Sequence, residues 1–179
     1  MLTRHIIAVI AAVVLATTCS VTLSVSAATP ERVETASAIR TCSGGTIKLN
    51  AKEERTLRLH NQARDRRGIR PLCVQPALTK AARSHSAAII RKDRLWHGNV
   101  GRRLKEFGYD WLTYGENIGW GSGSRGSPGS IFKRWMKSRD HRSNILNGRF
   151  REVGIGTATG TFKGTKGVTV YTVDFGTRR

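Results

Sequence analysis

Three polar side chains have types and surroundings that suit chemistry. His97 lies in Trp96-His97-Gly98-Asn99 and Glu116 in Tyr114-Gly115-Glu116-Asn117-Ile118. His141 lies in Ser138-Arg139-Asp140-His141-Arg142-Ser143-Asn144-Ile145-Leu146. Two imidazoles and a carboxylate are donors for zinc or another divalent metal, and such a set leaves a position open for water or a ligand. On such a centre His97 and His141 would ligate the ion, and Glu116 would act as general base on the bound water, as in a peptidase-like hydrolase. Without an ion the same trio forms a hydrogen-bonded network with a shifted carboxylate pKa, or a structural network that orders loops. The sequence contains no H-E-x-x-H and no G-x-S-x-G, so a helix-borne zinc protease site and a nucleophile elbow are excluded.

Helices must position these groups first. Residues 51–67 are helix-friendly, with Leu57, His60 and Ala63 near one face, and Gly68 and Pro71 mark the stop. Residues 77–92 place Leu78, Ala81, Ala82, His85 and Ile89 on one stripe behind Pro76. His85 is thereby a packed core histidine. Leu104 and Phe107 suggest a short third helix ended by Gly108, and Ile131, Phe132, Trp135 and Met136 another amphipathic one. The Gly/Ser-rich residues 119–130 read as a mobile loop. Each of the three polar residues follows or ends a helix-like stretch, where loops gather polar groups into a cleft. The last third is β-rich: Val153 and Ile155, then Val168 to Phe175, with a turn between Gly160 and Gly167. Helices first and a hairpin last argue an α+β domain, helices packed on an antiparallel sheet.

The N-terminus reads as an export signal over residues 1–27. Arg4 precedes the apolar run Ile6–Ala16, and Val25-Ser26-Ala27-Ala28 fits cleavage after Ala27 or Ala28. Residues 28–49 read as a linker and residues 50–179 as one domain. The net charge is +19, and the signal removes only Arg4 from it. Such an excess attracts polyanions: anionic cell-envelope polymers or lipid surfaces rather than specific nucleic acid, for which no motif is present. Cys42 and Cys73 remain beyond the signal. In an exported protein they favour one disulfide of about 3 kcal/mol, with two free thiols as the alternative.

The chain resembles a known family. Leu57-Arg58-Leu59-His60-Asn61-Gln62-Ala63-Arg64 and Ile69-Arg70-Pro71-Leu72 look like the opening helix of the CAP superfamily. That superfamily takes its name from cysteine-rich secretory proteins, antigen 5 and pathogenesis-related 1 proteins, and its domain is also called SCP. Ala82-Arg83-Ser84-His85-Ser86 resembles its second helix and Gly115-Glu116-Asn117-Ile118 its most telling motif. Trp135-Met136-Lys137-Ser138 with His141–Leu146 is similar to the bacterial form of its next helix and loop. Phe150–Gly156 and Val173-Asp174-Phe175-Gly176 resemble its two late strands.

The resemblance implies an α-β-α sandwich with a central cleft. There two His and two acids form a tetrad that in some members holds zinc or another divalent ion. Carried over by motif, the tetrad gives His97, Glu116 and His141. The second acid, which follows the helix tryptophan in animal and plant members, is replaced here by Arg139. Asp140 and Glu152 are the acids nearby, and the departure lowers the expected metal affinity. Asn117 and Asn144 are expected to tie loops through backbone hydrogen bonds, and Trp135, Phe150 and Phe175 to be core. The expectation is a secreted, extracellular, monomeric binding or interaction module whose cleft takes a small apolar or polar ligand or a metal. Metal-assisted hydrolysis is the alternative.

Overall fold

The computed structural model describes residues 37–179. The expected signal lies outside the described residues. Asn50 starts the first helix, α1 (Ala51–Asp65): its Oδ1 accepts from the Glu53 amide at 3.0 Å, and Glu53 Oε2 accepts from the Asn50 amide at 3.1 Å. Gly68, at φ +63°, follows its end. α2 (Pro76–Arg91) opens on Pro76 and buries the predicted stripe, His85 included. α3 (Val100–Glu106) is capped by Asn99, and Gly108 at φ +82° lies just beyond it. α4 (Pro128–Lys137) and α5 (Arg139–Ile145) meet at Ser138. No helix among the described residues is long and apolar enough to cross a membrane.

β1 (Ser37–Arg40) and β2 (Thr46–Leu49) form a hairpin within the segment read as a linker. Ile39 and Ile47 pair across it and pack against the core, and Leu49 is fully buried. The part of residues 28–49 that is described therefore belongs to the domain. Four-residue strands around Gly44-Gly45 carry too short a period to stand out in the sequence. The Cys42–Cys73 disulfide joins this hairpin to the sheet, with Cα atoms 5.3 Å apart, beside a Cys42 N–H bond to the Val74 carbonyl at 2.9 Å.

The main sheet contains β3 (Cys73–Val74), β4 (Trp111–Ser122), β5 (Glu152–Phe162) and β6 (Thr165–Arg178). Its order is β3-β5-β6-β4, so β4 is an edge. The short β3 runs parallel to β5, and the rest is antiparallel as expected. β5 and β6 turn on Lys163-Gly164, both at positive φ, a two-residue hairpin tighter than the predicted turn. β4 also extends through residues 119–122, where a mobile loop was expected. Gly119 and Gly121 stand there for close approach: a Cβ on Gly119 would press on the Trp135 indole, and one on Gly121 on the Arg125–Gly126 backbone.

One face of the sheet carries α2 and α3. Gly154 and Gly156 let the α2 backbone settle directly on β5, where any Cβ would overlap Leu78–Thr79 or Ala82–Arg83. The other face carries α1, α4 and α5 over Val153, Ile155, Trp135 and the stacked Phe150 and Phe175 rings, 5.6 Å apart. The layers make an α-β-α sandwich. A Gly156→Ala substitution should lower stability by about 1–3 kcal/mol through overpacking, whereas Gly129→Ala, which meets open space, should change it by less than about 0.5 kcal/mol. Urea denaturation of the two variants checks this, and equal effects would refute the packing argument.

Candidate functional site

Glu116 sits in the middle of β4 rather than at a helix end. Successive side chains on a strand point to opposite faces, which explains the Gly-Glu-Asn run. Gly115 and Asn117 face α5: a Cβ on Gly115 would press on Asn144 and the Phe150 ring. Asn117 Nδ2 donates to the His141 carbonyl at 3.0 Å, and Asn144 Nδ2 donates to Asn117 Oδ1 at 2.9 Å and to the Glu116 carbonyl at 3.2 Å. The two asparagines thus tie α5 to β4. Glu116 points the other way, toward α2 and α3, with its side chain 1 % exposed.

There each of its carboxylate oxygens has a partner. Oε1 accepts from His97 Nδ1 at 2.7 Å, and Oε2 accepts from Arg103 Nη2. Arg103 Nη1 also donates to the His97 carbonyl at 2.9 Å, so one guanidinium clamps the His97 loop to the strand. His85 closes the site from below. Its Nε2 bonds the Trp96 carbonyl at 2.8 Å and lies 3.9 Å from Glu116 Oε2. The Trp96 ring packs on His85, 5.1 Å between centroids, and leaves His97 half exposed.

A further carboxyl was missed in the sequence. Asp174 lies opposite Glu116 on β6 and is wholly buried. Arg103 Nη2 approaches its Oδ1 only to 3.7 Å, beyond hydrogen-bond range, and neither carboxyl oxygen has a hydrogen-bond partner among the described residues. The signal was an acid inside the apolar run Val170–Phe175, where nothing but a partnered or protonated carboxyl can be buried. Arg103 likewise follows the Asn99 cap by one helical turn. The two acids considered before lie elsewhere. Glu152 bonds Tyr109 Oη at 2.7 Å and Arg178 at 2.8 Å, and Asp140 is exposed at the start of α5.

His141 stands across β4 from this cluster, on α5. Its Nδ1 bonds Ser138 Oγ at 2.8 Å, and it lines a cavity of about 270 Å³ with Leu95, Ile118 and Trp135. Burial lowers its pKa first, and the charge of His97 lowers it further. The hydrogen bond to Glu116 raises that of His97, while burial lowers that of His85 and keeps it neutral as a packed ring. Burial, then the negative charge of Glu116, pushes Asp174 well above the ordinary carboxyl range.

The metal question turns on donors. A carboxylate can only accept, so His97 carries its proton on Nδ1. Nε2 of His97 and of His141 then remain without a hydrogen-bond partner among the described residues. Rings oriented through Nδ1 by a carboxylate or hydroxyl are how metal-binding histidines are held. Yet among the described residues the only compact group of three candidate ligands is Cys42, Cys73 and Glu152, and those sulfurs are bonded to each other. His97 and His141 join no such group, so the described residues do not bring three protein ligands together there.

Residues 57–175 match the sequence model of the cysteine-rich secretory protein family, CAP. The chain belongs to this family. It is 33 % identical over 127 residues to the uncharacterized protein YkwD of Bacillus subtilis, covering 68 % of this chain and 48 % of that one, so it spans about half its curated relative. In structure it is similar to an extracellular protein containing a SCP domain from Bacillus anthracis (TM-score 0.60, 23 % identity, 72 % of this chain and 40 % of that one). It is also similar to an outer surface protein of Borrelia burgdorferi (TM-score 0.61, 16 % identity, 80 % of this chain and 99 % of that one). At these identities the structural likeness speaks for the CAP sandwich alone.

Two titrations check this CAP site. His97 should titrate by NMR above its ordinary value of about 6.5, and Glu116→Gln should bring it down. Its pairing contributes stability below that ordinary value and loses it as pH rises through the raised one. Asp174 has the opposite chemistry but the same sign: it releases a proton on unfolding, so stability falls from about pH 4 upward. Measured against Asp174→Asn, wild type should therefore lose relative stability as pH rises from about 4; a flat difference would contradict the raised Asp174 pKa.

Proposed function

We propose that this CAP domain is an exported binding module, monomeric and held to an anionic cell envelope by its basic surface. Its cleft, between His97–Glu116 on one side of β4 and His141 on the other, takes a small apolar or polar ligand or a divalent cation. The observation that carries this reading is the state of Glu116. Both oxygens are engaged, by His97 and Arg103, and the side chain is buried. A general base must reach the water it activates, and Glu116, buried and ion-paired to Arg103, is shielded from one. The binding reading is favoured over peptidase-like hydrolysis on that ground. The half-exposed His97 and the cavity beside His141 supply the contact surface instead. Placement outside the cytoplasm is supported by the predicted signal, the Cys42–Cys73 disulfide, and similarity to proteins described as extracellular and outer-surface.

The test joins turnover to binding. Peptide, ester and wall-polymer substrates should show no hydrolysis above that of His97→Ala. Zinc titrated by calorimetry should bind weakly, and His97→Ala and His141→Ala should each abolish the binding. Hydrolysis that disappears in His97→Ala would overturn the reading.

A further inference from the structure

Two cavities adjoin along the outer edge of β4. The one beside His141 measures about 270 Å³ and the other about 650 Å³, and Trp120 and Arg134 line both. They form one groove running from the cleft toward Arg125, Lys133, Ser130 and Thr165. Among the described residues no carboxylate lines either part, whereas the cavity beside Arg70 and Arg178 contains Glu152 and the one over α1 contains Asp65.

The groove's charge is unspent. Arg134 donates to the Trp120 carbonyl at 2.7 Å and the Arg125 carbonyl at 3.1 Å, which fixes the guanidinium over the strand without neutralising it. Neither Arg125 nor Lys133 enters an ion pair among the described residues. Trp120 is braced edge-on by Phe162, 5.1 Å between centroids, and stays half-buried at the groove. A rigid aromatic ring beside held cations and a serine suits a ring-shaped, hydroxylated ligand carrying negative groups. A flat lipid surface would meet protruding side chains rather than fill a groove. Single-stranded nucleic acid calls for successive stacking aromatics, and this end of the groove has one.

We propose that this groove binds an acidic glycan, with a sugar ring on Trp120 and its anionic groups at Arg134, Arg125 and Lys133. This rests on the envelope-binding reading above and gives it a place. The shared chemistry is an anionic sugar chain, whether carboxylated or phosphorylated.

Calorimetry of the exported chain at about 150 mM salt, where charges beyond about 8 Å are screened, tests it with oligogalacturonate, a phosphorylated oligomannose and an uncharged oligomannose. At least one acidic glycan should bind, the better of the two identifying the source of charge, and the uncharged one should not. Arg125→Ala/Lys133→Ala and, separately, Trp120→Leu should weaken binding tenfold or more. Arg66→Ala/Arg67→Ala, which removes equal charge from exposed positions after α1, should weaken it less than twofold. Melting curves confirm that the variants fold, and the two double variants decide the matter if Trp120→Leu does not. Equal weakening by both double variants would overturn the groove while leaving diffuse envelope binding intact. Failure of wild type to bind either acidic glycan would overturn the groove. If anionic vesicles also failed to bind, the envelope reading would fall with it. Tighter binding to anionic vesicles or single-stranded DNA, lost in the Arg125/Lys133 variant, would reassign the groove and overturn the proposal.

Discussion

A carboxylate taken out of water must find compensating charge or donors, and the buried Glu116 side chain imposes that demand at the centre of the sheet's edge. Arg103 meets it with one nitrogen and uses another to hold the His97 carbonyl. His97 meets it with Nδ1. The path of the chain from Trp96 into α3 is therefore fixed by electrostatics more than by packing. That section, residues 92–99, has no regular structure of its own. His85, reaching the Trp96 carbonyl from α2, adds the third anchor. Removing Glu116 would leave Arg103 facing a buried space with its Nε already unpartnered.

Strand alternation carries the same constraint to the other face. Because Glu116 must point to α3, its neighbours must point to α5, and there Gly115 leaves room while Asn117 supplies the bond to the His141 carbonyl. The two histidines are thus held on opposite sides of one edge strand by three consecutive residues. Among the described residues they join no common three-ligand centre, and His141 lines the cavity at the edge of β4. Asp174 is the cost of the arrangement: a second carboxyl beside the first, its pKa pushed up by burial and by Glu116 itself.

Much of this was legible in the sequence where period and caps spoke. The α2 stripe, the Gly68 and Gly108 stops and the β5–β6 hairpin follow from spacing and from glycine's access to positive φ. His97, Glu116 and His141 were located by type and motif, and their pairing was not, because which face a strand residue takes depends on register with a partner. β4 itself was hidden: Gly119 and Gly121 read as loop composition although each is small to admit another group. The β1–β2 hairpin was hidden for the opposite reason. Its strands are short, and their hold on the domain comes from a disulfide and a few buried side chains distant in sequence. Asp174 and Arg103 escaped because a charge in the interior declares its role only through what surrounds it.

The surplus of positive charge is best understood by subtracting what the fold consumes. Arg64 is fully buried and donates to the carbonyls of Arg70, Ile145, Asn147 and Phe150, closing the end of α5 and the loop behind it. Arg83 serves Glu53, Arg103 serves Glu116 and Arg178 serves Glu152. These four explain themselves. With 31 Lys and Arg against 12 Asp and Glu, pairing every acid would still leave most basic side chains facing water, where mutual repulsion works against the compact state. Under the proposed envelope binding, an anionic partner outside the molecule would relieve that repulsion. The acid-free groove along β4, where Arg134 is held in place by carbonyls instead of carboxylates, is where that argument becomes local.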